Sequence, residues 1–62
     1  MATMQDVRLV REVAEGYEVD EVSLTEEGEI RVSGGRVTES YDTAEEAIAG
    51  IRSSWTPRDG AS

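Results

Sequence analysis

The fold is decided by residues 21–41, which read EVSLTEEGEIRVSGGRVTESY. Apolar and polar residues alternate along most of this stretch, and alternation with a period of two is typical of half-buried β-strands. Two breaks that contain glycine divide it into three segments. The stretch therefore predicts three antiparallel strands joined by two hairpins, near residues 19–25, 29–33 and 36–41.

The first break, at residues 26–28, reads Glu-Glu-Gly and predicts a three-residue hairpin loop with Gly28 in the left-handed conformation. Such a loop places Thr25 opposite Glu29. Apolar residues then meet in the next aligned pairs, which are Leu24 with Ile30 and Val22 with Val32.

The second break, Gly34-Gly35, predicts a two-residue turn. This turn places Ser33 opposite Arg36. With both hairpins in register, the inner face of the sheet carries six residues: Val22, Leu24, Ile30, Val32, Val37 and Tyr41. Glu39 falls on the same face and does not fit its apolar pattern.

A helix is predicted over residues 4–15, before the strands. Thr3 and Asp6 have the spacing of a capping box, and Gly16 offers a left-handed end. The apolar stripe consists of Met4, Val7, Val10 and Ala14, widened by Leu9 and Val13. The alternative is a short strand within this stretch, because valine favours strands over helices.

A second helix is predicted after the strands, because Thr43 and Glu46 form another capping-box spacing. Gly50 weakens the helix interior and allows close approach to the sheet or to another chain. Pro57 ends the helix. Its apolar stripe consists of Ala44, Ala47, Ile48, Ile51 and Trp55.

The predicted order α-β-β-β-α defines an α+β fold, a small three-stranded antiparallel meander with both helices on one face. The sequence has 62 residues and no cysteine, so we expect a single compact domain at 1–57 and a flexible tail at 58–62. No apolar run approaches the roughly 20 residues that a membrane span needs, and no signal-peptide pattern is present. A cytoplasmic protein without membrane contact is the expectation.

The residue types argue against catalysis. The chain has no histidine and no cysteine, and all six of its basic residues are arginine. The commonest general base, a thiolate nucleophile and soft metal ligands are therefore missing. Carboxylate pairs at 26–27 and 45–46 would need a desolvating cleft, which so small a fold has little volume to build. We expect no enzymatic activity, no cofactor and no metal.

The charge is the strongest functional signal, because 14 acidic residues give a formal net charge of −8. This charge repels nucleic acids and anionic lipids, so the expected partner is a basic protein surface. The predicted register brings the first hairpin loop and the start of the second helix to one end of the sheet. Six acidic residues gather at this predicted acidic end: Glu26, Glu27, Glu29, Asp42, Glu45 and Glu46.

Helix capping and solubility can explain each of these acids singly, but they do not require the whole surplus. A rigid array of carboxylates can imitate nucleic-acid phosphates and occupy a basic groove. The leading hypothesis is a non-enzymatic inhibitor, phage-encoded, that binds a nucleic-acid-binding surface of a host defence complex such as a CRISPR effector subunit. Anti-CRISPR proteins are the class it suggests, by analogy of size and charge rather than by a motif.

Two other functions stay open. Residues 41–48, which read YDTAEEAI, resemble the strand-to-helix joint of small HicB-type antitoxin domains, and this resemblance implies an antitoxin-like partner role. Such a module, or a homodimer, would work through an apolar face at Tyr41 and Trp55. Trp55 also continues the predicted core stripe, which favours burial. A salt-adapted housekeeping domain would explain the acidic surplus without any partner.

Overall fold

The computed structural model describes residues 1–58. In this part of the chain an antiparallel sheet with the strand order β1-β2-β3 is preceded by helix α1 and followed by helix α2. The predicted α+β arrangement, α-β-β-β-α, is confirmed. The elements are α1 (Met4–Ala14), β1 (Glu21–Leu24), β2 (Ile30–Gly34), β3 (Val37–Tyr41) and α2 (Ala44–Ser54).

Helix α1 begins as predicted and excludes the strand alternative. The Thr3 side chain accepts a hydrogen bond from the Asp6 N–H, and the Asp6 carboxylate accepts one from the Thr3 N–H at 2.9 Å, which completes the capping box. The buried stripe is narrower than predicted, because Met4 and Leu9 are 51% and 50% exposed. The remaining positions that face the sheet are Val7, Val10 and Ala14.

The first hairpin has the predicted register. Leu24 pairs with Ile30 and Val22 with Val32. Gly28 has a φ of +83°, the left-handed conformation that the loop requires. The Thr25 N–H donates to the Glu29 carbonyl at 2.8 Å and closes the loop.

The second hairpin differs from the prediction by two residues. Gly34 pairs with Val37, so the turn consists of Gly35 and Arg36 rather than of the two glycines. Gly35 has a φ of +62° at the first central position, where a type II′ turn needs glycine. Gly34 instead belongs to β2, because a Cβ there would lie 2.7 Å from Nε1 of Trp55.

This shift changes the inner face of β3. A displacement of two residues keeps every side chain on its face, but it moves Val37 beyond the buried part of the sheet and leaves it 41% exposed. The prediction that Val37 belongs to the core is therefore wrong. Glu39 pairs with Val32 and is exposed, and Tyr41 pairs with Ile30 and is half-buried.

Both helices cover the face of the sheet that carries Val22, Ile30 and Val32, while Arg31, Thr38 and Ser40 of the opposite face stay exposed. Burying apolar side chains on one face of a sheet and one stripe of each helix is the main source of stability for such a domain. The core consists of Ala2, Val7, Val10, Ala14, Val19, Val22, Ile30, Val32, Ala47, Ile51 and Trp55.

The segment after α2 returns to the end of α1. Pro57 forms an isolated bridge with Tyr17. Arg58 donates from Nε to the Glu15 carbonyl at 3.1 Å and from Nη2 to the Val19 carbonyl at 2.8 Å. Arg58, which the sequence analysis assigns to the tail, makes both of these hydrogen bonds, and residues 59–62 of the predicted tail lie outside the described part of the chain.

Candidate protein-binding surface

The two predicted acidic segments leave the sheet at the same end. Ile30, the first residue of β2, pairs with Leu24 on one side and with Tyr41 on the other. The loop at 25–29 and the entrance of α2 at 42–46 therefore flank one another. The predicted pairing of Ser33 with Arg36 would set Gly28 opposite Tyr41; the observed partner is Ile30, and this shift of two residues leaves the six acidic residues grouped.

The N-terminus of α1 adds a seventh carboxylate that the sequence analysis missed. The Ala2 N–H donates to the Gly28 carbonyl at 2.8 Å, so the start of α1 is fixed to the first hairpin loop. Asp6 consequently lines an open groove of about 310 Å³ together with Asp42 and Glu45. Ala2 is buried in this contact, but an alanine among Met1, Thr3 and Met4 gave no signal of it in the sequence. We call Asp6 and the six predicted acids the acidic end.

Some of these carboxylates have structural roles. Asp6 completes the cap of α1. At α2 the Thr43 side chain accepts from the Glu46 N–H at 3.1 Å, but the Glu46 carboxylate accepts from the Asp42 N–H at 3.3 Å rather than from Thr43. The predicted second capping box is therefore only half formed. Glu45 and Glu46 also face the positive end of the α2 dipole.

The carboxylates of Glu26, Glu27, Glu29 and Asp42 take no part in capping a helix. Within residues 1–58, Glu46 is the only one of the six predicted acids whose side chain accepts a described hydrogen bond. Glu26, Glu27 and Glu45 are exposed, whereas Glu29 is half-buried. Arg31 lies beside Glu26 and Glu27 in a shallow groove and offsets one charge. The remaining surface is an array of solvated carboxylates on the first hairpin loop and the start of α2.

Trp55 does not provide the apolar interface that the second hypothesis requires. Its side chain is 7% exposed, and its Nε1–H donates to the Gly34 carbonyl at 3.3 Å, so it belongs to the core. In the folded monomer Trp55 is buried, as its place on the apolar stripe favours, because the close approach of Gly34 lets the indole pack under the sheet.

The Tyr41 side chain likewise packs against the core. Its phenol lies against Gly50 of α2, where a Cβ would collide with the ring and its hydroxyl. Burial, with a smaller contribution from the Glu39 carboxylate, raises the pKa of Tyr41 above 10.0. The phenol therefore stays neutral under physiological conditions and offers no general base.

The described residues show no other site of chemical interest. Residues 1–58 contain no group of three or more side chains placed to hold a metal ion, and no helix among them is long and apolar enough to cross a membrane. The groove between Arg11 and Arg58, about 320 Å³, is open and also lined by Glu15, Asp20 and Glu21. Arg11 and Arg58 donate to the backbone carbonyls of Val22 and Val19, respectively.

Comparisons with protein-family models, with curated proteins and with solved structures found no match for this chain.

Proposed function

We propose that this protein is a non-enzymatic inhibitor whose acidic end binds a basic, nucleic-acid-binding surface of another protein. The observation that carries the proposal is the convergence of exposed carboxylates from the first hairpin loop and the start of α2 at one end of the sheet. The half-buried Asp6 of α1 joins them. A duplex presents a comparable array of regularly spaced negative charges.

The electrostatics favour association with a basic groove. Each exposed ion pair contributes only about 0.2–1 kcal/mol, but several pairs formed together reach a few kcal/mol. The net charge of −8 also accelerates encounter with a cationic surface. Because such pairs are exposed, salt weakens them, with a screening length of about 8 Å at 0.15 M.

The partner class follows from this chemistry. A surface that binds DNA or RNA is rich in arginine and lysine, and a small acidic protein that covers it blocks the nucleic acid. A CRISPR effector subunit is the partner we propose first, with a phage-encoded inhibitor of the anti-CRISPR type as the corresponding role. This assignment is an analogy of size, charge and missing catalytic groups.

The test is capture of proteins from a bacterial lysate that contains CRISPR effectors, with the immobilised protein as bait. Bound proteins are eluted first with rising salt and, in a parallel sample, with duplex DNA. We expect a nucleic-acid-binding complex that duplex DNA displaces. Capture of proteins that resist both salt and DNA would contradict the proposal, as would the absence of any DNA-displaced protein.

Two variants of equal charge separate a specific surface from net charge alone. The first carries Gln in place of Glu26, Glu27 and Glu45, which lie at the acidic end. The second carries Gln in place of three exposed glutamates near the far end of α1: Glu12, Glu15 and Glu18. Each changes the net charge from −8 by three, to −5. Only the first should lose the captured complex.

A further inference from the structure

The two edges of the sheet differ in how they are protected against pairing with a strand of another chain. β1 and β3 are the edge strands. On β1, Arg11 donates from Nε and Nη2 to the outward-facing Val22 carbonyl at 3.1 and 3.0 Å. β3 pairs regularly over its whole length without a bulge, contains neither lysine nor proline, and is exposed from Val37 to Ser40. Glu39 is the one charged residue of β3, and a regular edge that nothing covers can accept a further strand.

The register identifies the backbone groups that β3 leaves free. Gly34 and Val37 flank a two-residue turn, so they form a hydrogen-bonded pair. Hydrogen-bonded and non-hydrogen-bonded pairs alternate along an antiparallel ladder. Thr38 and Ser40 therefore direct their N–H and C=O groups away from β2 and toward solvent.

We propose that β3 pairs with β3 of a second copy of this chain, antiparallel and with the twofold axis at Thr38, to form a continuous six-stranded sheet. An antiparallel strand edge is self-complementary, because a twofold rotation sets each free N–H against a free C=O. The two Thr38 residues then exchange two hydrogen bonds across the axis.

The neighbouring registers are disfavoured by observed contacts. An axis at Glu39 would set two carboxylates directly opposite each other, in the closer type of strand pair. An axis at Ser40 would need the Asp42 N–H, which already donates to Glu46 at 3.3 Å. With the axis at Thr38, each Glu39 lies opposite Val37 of the other copy, so the two carboxylates do not face each other.

Charges near the axis complement one another in this register. Arg36 comes opposite Ser40 of the other copy and diagonally next to its Asp42, and the twofold axis creates two such contacts. The net charge of −8 on each copy opposes association over longer distances. Salt screens this repulsion, so the dimer should strengthen with ionic strength, whereas binding by the acidic end should weaken.

The test is the oligomeric state by sedimentation equilibrium at low and high salt, for the unaltered protein, Thr38→Pro and Thr38→Ala. Proline removes an N–H that points away from β2, so the sheet keeps its own hydrogen bonds. We expect a dimer fraction that rises with salt for the unaltered protein and for Thr38→Ala, and loss of the dimer for Thr38→Pro. A protein that stays monomeric at high salt and millimolar concentration would overturn the proposal.

Single cysteines test the register without relying on a proline variant, because the chain has no cysteine of its own. With the axis at Thr38, the two residues at 38 are about 5.5 Å apart between Cα atoms, within the range of a disulfide. The two residues at 40 are about 14 Å apart. Thr38→Cys should form a disulfide-linked dimer on oxidation and Ser40→Cys should not; the reverse order, or equal yields, would refute this register.

Discussion

The phenol ring of Tyr41 lies directly on Gly50, so that β3 and α2 touch where the helix has no side chain. Gly50 costs the helix about 1 kcal/mol relative to alanine, but it provides the space into which the ring packs. The contact fixes the start of α2 relative to the sheet, and with it the position of the α2 carboxylates at the acidic end.

Gly50→Ala should destabilise the protein despite its better helix propensity. The new Cβ would collide with the Tyr41 ring, and overpacking of this kind costs about 1–3 kcal/mol. In a Tyr41→Ala background the collision is absent, so the same substitution should stabilise by up to about 1 kcal/mol. Urea unfolding of the four proteins measures both effects, and the same sign in both backgrounds would refute the packing.

Tyr41 should titrate above 10.0, because burial and then the Glu39 carboxylate raise its pKa. The raised pKa means that the contribution of Tyr41 to stability is complete below pH 10 and is lost as the pH rises through the folded-state pKa. A Tyr17→Phe variant leaves Tyr41 as the one tyrosine, and its ultraviolet absorbance reports ionisation directly. Glu39→Gln should lower the pKa of Tyr41 without returning it to 10.0.

Gly34 and Gly35 should respond very differently to alanine. A Cβ at Gly34 would lie 2.6 Å from the Glu18 carbonyl oxygen and 2.7 Å from Trp55 Nε1, so Gly34→Ala should cost about 3 kcal/mol or more. A Cβ at Gly35 meets nothing within 4 Å, and only its φ of +62° is unfavourable, at about 1–2 kcal/mol. Thermal unfolding compares the two, and equal losses would show that Trp55 does not pack on Gly34.

Arg58 should contribute to stability although it lies near the end of the described chain. Arg58→Ala removes hydrogen bonds to the Glu15 and Val19 carbonyls, which we expect to cost about 1–2 kcal/mol. Arg52→Ala is the matched control, because Arg52 is exposed and makes no described hydrogen bond, and it should change the unfolding free energy by about 0.5 kcal/mol or less. Similar losses for both variants would contradict the role of Arg58.

The contrast between the hairpins shows what the sequence can decide. The loop ending at Gly28 and the apolar pairs beyond it agree on one register, and local information suffices. At Gly34 and Gly35 either glycine can begin a tight turn. The decision depends on Trp55, 21 residues further along the chain, whose indole needs the space at Gly34.

The candidate site was predictable to a similar extent. Six of its acids follow from the strand order and the loop position. The place of Asp6 at the acidic end could not be predicted, because it depends on the hydrogen bond from the Ala2 N–H to the Gly28 carbonyl. No periodicity in the sequence reveals this contact between distant segments. The helical stripe favoured burial of Trp55 but did not decide it, since a residue in the last turn of a helix can also lie at an interface.

The central claim is that the location of the carboxylates, and not their number, determines binding. Its most direct test is the dissociation constant of the captured complex for the unaltered protein and for the two variants of net charge −5, measured at 0.15 M salt. Three lost ion pairs at about 0.2–1 kcal/mol each predict about threefold to a hundredfold weaker binding when Glu26, Glu27 and Glu45 are changed. The variant at Glu12, Glu15 and Glu18 should bind within about threefold of the unaltered protein. Equal weakening of both variants, or of neither, would contradict the account.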